Sequence, residues 1–317
     1  MSENNQFFLP NYNDLPPRVL SPHIEPDHYD YYVKMACTEG PFRMFQRQIG
    51  PLSALSRRGH LIVARGSEGV GKSALLYRCA RWLEIAAGED RDVRIDVTRL
   101  RENDFDDRGE LGHALRISMS LSVLAEQKLP NGVADGIAEK FKWLRKRDDD
   151  ERLHMTDLLD AHDFLSAALN GDNKRVFAVI LPSSLSLDEV KLYVRLANPG
   201  IIFFAELDTS ARDGTGALES HNDTKIVELF IDDHLSKADA LIFVRERENR
   251  AHRRSVKFPR ISEKTLDKLI EHMDGNITIH LLQNIFSHAT ETALAKKADE
   301  VSYDDLIDFL YGGTESS

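Results

Sequence analysis

The sequence predicts an α/β protein: a three-layer domain on a mainly parallel sheet of about five strands, followed by a small all-helical C-terminal domain. Three observations carry this. Short apolar runs alternate with stretches of helical spacing through the first two thirds of the chain. After Asp233 no further strand-like run occurs, and the pattern is helical to the end. With 42% hydrophobic and 29% charged residues among 317, the chain has apolar material for a core and no compositional case for global disorder.

In order, residues 1–40 carry Pro10, Pro16, Pro17, Pro22 and Pro26, a density that blocks a long helix and removes ladder donors. An extended N-terminal arm is expected, with Tyr29, Tyr31 and Tyr32 anchoring on the body or on another subunit. From Phe42 the spacing of Met44, Phe45, Ile49, Leu52 and Leu55 is helical. Leu61–Ala64 reads as a buried strand, Lys72–Ile85 as a helix, and Val93–Val97 as a second strand. Glu102–Asp107 reads as a loop, and Leu111–Leu124 as a helix with Leu111, Leu115, Met119 and Leu121 on its apolar face. Lys140–Arg152 mixes Lys and Arg with three aspartates and is expected to be a solvated helix face or loop. Leu158–Leu169 is helical; Val176–Leu181, Ile201–Phe204 and Ile226–Ile231 complete the strands. Helices follow at Leu235–Arg247, Glu263–Met273, Ile279–Ala295 and Tyr303–Leu310. The expected organisation is an arm over 1–40, a nucleotide-binding domain over 41–250 and a helical lid over 251–317.

Between the first strand and its helix stands Gly66-Ser67-Glu68-Gly69-Val70-Gly71-Lys72-Ser73, which satisfies G-x-x-x-x-G-K-[ST] in the strand–loop–helix context that the motif requires. Its glycines let the backbone turn tightly and aim N–H groups at phosphate oxygens. Lys72 supplies a positive charge for the β and γ phosphates, Ser73 a hydroxyl for Mg2+, and the helix N-terminus its partial charge. ATP or ADP with Mg2+ is the ligand expected at this P-loop.

A Walker A loop in an α/β core followed by a helical lid resembles the AAA+ family, in particular its initiator, clamp-loader and transposition-ATPase branch. Ile226–Ile231 looks like that family's fifth strand, and Leu235–Arg245 is similar to the helix entering its lid. Gly275-Asn276-Ile277-Thr278 stands where the family has a Gly-Asn-x-Arg helix start, and Val301-Ser302-Tyr303-Asp304-Asp305 resembles its closing V-[ST]-x-x-D. Two departures bear on function. The family's third strand ends in Asp-Glu, which supports Mg2+ and orients the attacking water; here Ala178–Leu181 runs into Pro182-Ser183-Ser184, which offers no general base. Asp188 and Glu189 further on read as first-turn residues of the next helix. In the lid, Ile277-Thr278 replaces the sensor arginine. The resemblance implies that Glu206, after the fourth strand, stands where a sensor residue is found and is the candidate replacement acid. Arg212 lies where a subunit-bridging arginine finger would be.

The expected function is therefore an ATP-controlled assembly or scaffold subunit, a homo-oligomer or partner of another protein, with weak or absent hydrolysis. Whether it is an enzyme stays open. An active AAA+ ATPase that loads or remodels a nucleic-acid-bound complex through Glu206 is the alternative, and a nucleotide-retaining signalling switch of the STAND type is a third reading. The net charge of −11 argues against general nucleic-acid binding. The segment Arg245–Arg260, with Arg250, Arg253, Arg254, Lys257 and Arg260, is a local basic cluster able to meet nucleic acid, an acidic partner or only solvent. Two cysteines without CxxC spacing, no membrane-length apolar run and no signal-like N-terminus point to the cytoplasm and to no membrane role.

Overall fold

The computed structural model describes Phe7, Leu20, His28 and residues 31–89, 93–99, 109–149, 153–171, 175–182, 185–209, 216–221, 223–253 and 258–312. The elements are α1 (Ala36–Ile49), β1 (His60–Gly66), α2 (Lys72–Glu89), β2 (Arg94–Arg99), α3 (Gly109–Lys128), α4 (Asn131–Asp149), α5 (Met155–Leu169), β3 (Arg175–Ile180), α6 (Leu187–Leu196), β4 (Ile201–Asp208) and β5 (Lys225–Phe230). Four helices close the chain: α7 (Lys237–Arg253), α8 (Glu263–His272), α9 (Ile279–Ala295) and α10 (Tyr303–Gly312). The chain divides into two compact units, one drawn from Phe42–Arg65 and Leu76–Phe230, the other from Met1–Pro41, Gly66–Leu75 and Ile231–Ser317.

The first unit holds the sheet. Its strand order is β2-β3-β4-β1-β5, and the pairings β1–β5, β2–β3 and β3–β4 are parallel. β1, β3 and β4 are buried nearly end to end, as central strands covered on both faces must be, which is why they read as unbroken apolar runs. Side chains alternate between faces. Leu61, Val63, Phe177, Val179, Phe203, Ala205 and Leu207 pack with Leu115, Leu121, Phe141, Leu165 and Tyr193 from the helices α3 to α6. On the other face Phe45 of α1 meets Trp82 of α2 edge-on at 5.8 Å and Phe204 at 6.3 Å.

The edge strands are polar by comparison. In β2, Asp96 pairs with Arg175 at 2.5 Å and with Lys128 at 3.5 Å. In β5, Glu228 pairs with the buried Arg65. α6 begins at a capping box in which Ser186 accepts from the Glu189 N–H and the Glu189 carboxylate accepts from Ser186. Asp188 and Glu189 are thus first-turn residues, as their sequence position suggests.

The second unit is helical, with Phe243, Leu266, Leu269, Leu282, Ile285, Phe286 and Leu306 at its centre. The N-terminal segment contributes to that core. Phe7, Val33, Met35 and Cys37 are buried in it, and Phe7 stacks on Phe286 at 5.4 Å between ring centres. The first helix starts at Ala36, ahead of the Phe42 start that the periodicity predicts. Asp239 of α7 makes the earlier start stable by accepting the otherwise orphaned N–H groups of Ala36 and Cys37, at 2.7 and 3.2 Å. Tyr31 is buried there, with the guanidinium groups of Arg247 and Arg250 5.7 and 5.5 Å from its ring centre, while Tyr29 lies outside the described residues. The closing Val301–Asp305 motif is a capping box in which Ser302 and Asp305 exchange hydrogen bonds to start α10.

Candidate functional site

The loop from Gly66 to Ser73 sits in the helical unit, and the start of α9 lies directly against it. Gly69 adopts φ +78°, and a Cβ built there would stand 2.9 Å from Thr278 Oγ1 and 3.1 Å from His280 Cβ. Gly71 adopts φ +99°, with Ile279 Cδ1 3.1 Å from where its Cβ would be. Both positions therefore need glycine for backbone shape, and Gly69 for space as well. The His280 N–H donates to the Gly69 carbonyl at 3.0 Å, while the Thr278 hydroxyl caps α9 by accepting from Leu281. Thr278 occupies the position where the resemblance would have an arginine, and its side chain is spent on the helix cap and the loop contact.

Lys72 is buried, and its Nζ donates to the carbonyls of Gly66 at 2.9 Å and Ser67 at 2.7 Å. An ammonium has three donors, so one N–H and the full positive charge remain for an anion at the loop. Ser67 is fixed from the far side: its N–H donates to the Asp233 carboxylate at 2.9 Å and its hydroxyl to the Asp233 carbonyl at 3.3 Å. The Tyr32 hydroxyl donates to the Ala74 carbonyl in the first turn of α2 at 2.6 Å, and the Tyr32 carbonyl accepts from Arg250 at 2.7 Å. A glycine cradle closed to side chains, a lysine held at its mouth, a serine at the helix start and a helix N-terminus together fit a nucleoside triphosphate with its Mg2+. Lys72 would meet the phosphates, and Ser73 would ligate the metal.

The remaining candidates fall elsewhere. β3 ends at Ile180, and the buried Leu181 and Pro182 follow it with no carboxylate; Ser183 and Ser184 lie outside the described residues. Glu206 does not follow the fourth strand but lies inside it, because β4 continues to Asp208. It is buried, on the same face as Phe204 and opposite to Phe203, Ala205 and Leu207. Arg212 lies outside the described residues.

In the basic segment, Arg245 pairs with Glu248 at 2.6 Å and Glu263 at 3.6 Å, and Arg250 serves Tyr32. Arg247 is 3% exposed, and its Nε and Nη1 have no hydrogen-bond partner among the described residues. Burial first, and the Arg250 charge next, pull its pKa down to about 9. Arg254 and Lys257 lie outside the described residues, as do their contacts.

Sequence reasoning missed Asp233 and His280, and gave Tyr32 only as an anchor on the body or on another subunit. Asp233 and His280 meet the loop, and Tyr32 the first turn of α2, through fold-level contacts that nothing local to these residues announces.

A parallel sheet of order β2-β3-β4-β1-β5, a G-x-x-x-x-G-K-S loop after β1 and a helical C-terminal unit make up the AAA+ fold, and the chain has that fold. Within it, the chain is similar to Drosophila ORC bound to DNA, at 12% identity over 97% of this chain and 70% of that one, with a TM-score of 0.53. It is likewise similar to the ADP form of the Aeropyrum pernix ORC2 protein, at 13% identity over 96% and 72% of the two chains, with a TM-score of 0.51. No protein-family profile matches the sequence, and no curated protein matches it. Among the described residues no helix is long and apolar enough to cross a membrane, and no cluster of His, Cys, Asp and Glu could hold a metal.

Proposed function

We propose that this protein is a nucleotide-controlled assembly subunit that binds ATP or ADP with Mg2+ at Gly66–Ser73 and turns ATP over slowly or not at all. The observation that carries the reading is the pairing of a complete phosphate cradle with a β3 that runs on into buried Leu181 and Pro182 where the AAA+ resemblance implies an acid pair. The contact from Gly69 to the start of α9 supplies the means of control. Anything that reshapes the loop also bears on Thr278 and His280, and so on the lid helix. Binding can then shift a conformational population without bond cleavage. Association with copies of itself or with another protein is part of this reading, and the fold shared with Drosophila ORC bound to DNA is a structural analogy for it.

The test measures phosphate release with ATP and Mg2+, with and without DNA, beside solution mass in the same buffers. Lys72→Ala is the control. ATP-dependent assembly lost in Lys72→Ala, with no turnover above that variant, is the expected result. Turnover well above Lys72→Ala overturns the scaffold reading and makes Glu206, a buried carboxylate in β4, the residue to replace next.

A further inference from the structure

We propose that the outward face of α4 is a binding surface for single-stranded nucleic acid. From Lys140 to Arg147 the helix reads Lys-Phe-Lys-Trp-Leu-Arg-Lys-Arg, with five cations and no acidic residue. Phe141 and Leu144 are fully buried in the core of the sheet unit, which turns the cations toward solvent. Among the described residues Lys142, Arg145 and Lys146 have no carboxylate partner, and Arg147 pairs with Asp157 at 3.0 Å. Trp143 is 42% exposed in their midst, with Lys140 Nζ 5.0 Å and the Arg147 guanidinium 5.1 Å from its ring centre. In a chain of net charge −11 this run, bounded by Glu139 and Asp148, is a concentrated exception, and it carries a part-exposed indole at its centre.

The chemistry selects the partner. Cations neutralise phosphates, and an exposed aromatic ring stacks on unpaired bases, which is the combination that single strands recognise. A duplex hides its base faces from such a ring. An anionic membrane would attract the same cations, but the apolar face of α4, with Ala134, Ile137, Phe141 and Leu144, is consumed in the core and does not insert. An acidic protein would meet the same charges and bury the indole as an anchor, so it is binding of oligo-dT that separates the two partners. In the basic segment that the sequence nominated, Arg250 is engaged within the helical unit by the Tyr32 carbonyl, while Arg254 and Lys257 lie outside the described residues.

The experiment measures fluorescence anisotropy of a labelled oligo-dT with the full chain in the absence of nucleotide, so failure of the nucleotide reading leaves it untouched. The expected log–log salt slope is about −2, from roughly three phosphates neutralised on a single strand. Lys142→Glu/Arg145→Glu/Lys146→Glu lowers affinity by a factor of ten or more and flattens the slope. Trp143→Ala lowers it about tenfold at an unchanged slope. All substituted positions are exposed, and far-UV circular dichroism confirms folding. Absence of binding at low salt overturns the proposal. So does indifference to Trp143→Ala, or equal affinity for heparin, a polyanion without bases, because either reduces the surface to a charge patch for another anion.

Discussion

Replacing Phe7 by Ala tests whether the N-terminal segment is a structural part of the helical unit. Phe7 is fully buried, with its ring stacked on Phe286 at 5.4 Å and tilted against Phe243 at 6.2 Å, and its carbonyl accepts from the Gln283 side chain. Removing a fully buried phenyl ring forfeits about 2–3 kcal/mol of transfer free energy. The lost aromatic pairs add about 1 kcal/mol. Partial collapse of the site offsets some of this, so the expected loss is ~3 kcal/mol, at the low end for Phe-to-Ala changes in cores. Urea unfolding followed by far-UV circular dichroism reads it as a fall in midpoint. Phe7→Leu retains most of the volume and loses about 1 kcal/mol. A Phe7→Ala loss below about 1 kcal/mol would refute the packing argument, since no fully buried phenyl is that dispensable.

Three further outcomes are expected. Gly69→Ala forces a side chain onto a left-handed backbone and against Thr278 Oγ1, destabilising by about 1–2 kcal/mol; competition with a fluorescent ATP analogue shows affinity at least about tenfold weaker, and undiminished affinity contradicts the cradle. His60 and His162 are both pushed down to about 4 by burial, so between pH 6.5 and 4 the unfolded chain binds more protons than the folded one. Stability is then full above pH 6.5 and falls as acid is added, by up to about 3 kcal/mol for each histidine; urea midpoints across this range check it, and His162→Gln flattens the slope. Arg247→Met replaces a buried guanidinium with unbonded Nε and Nη1 and is neutral or stabilising by about 1–3 kcal/mol; a large loss in thermal melting would reveal a counter-charge.

The sheet was legible because its central strands are buried on both faces and so carry uninterrupted apolar runs. Loop 66–73 was legible because its chemistry constrains consecutive residues. α4 was harder. Its apolar positions Ala134, Ile137, Phe141 and Leu144 are few among charged neighbours, and the basic run masks the period. The start of α1 was missed because its cap is the side chain of Asp239, remote in sequence. Glu206 was placed past its strand because a carboxylate reads locally as a strand end, whereas the fold buries it within β4. Asp233 and His280 join the site only once the chain has folded back on the loop.

Both tryptophans of the chain, Trp82 and Trp143, belong to the sheet unit, and the unit that carries the phosphate loop has none. Intrinsic emission therefore reports on one unit alone. A melting curve read that way would pass over the loss of Phe7, or a nucleotide-induced gain at Gly66–Ser73, unless the two units unfold together. Tyrosine signals belong in part to the other unit, through Tyr31, Tyr32, Tyr303 and Tyr311. Agreement or divergence between indole emission and helical ellipticity would thus measure the cooperativity of the whole chain, and it would do so without a label.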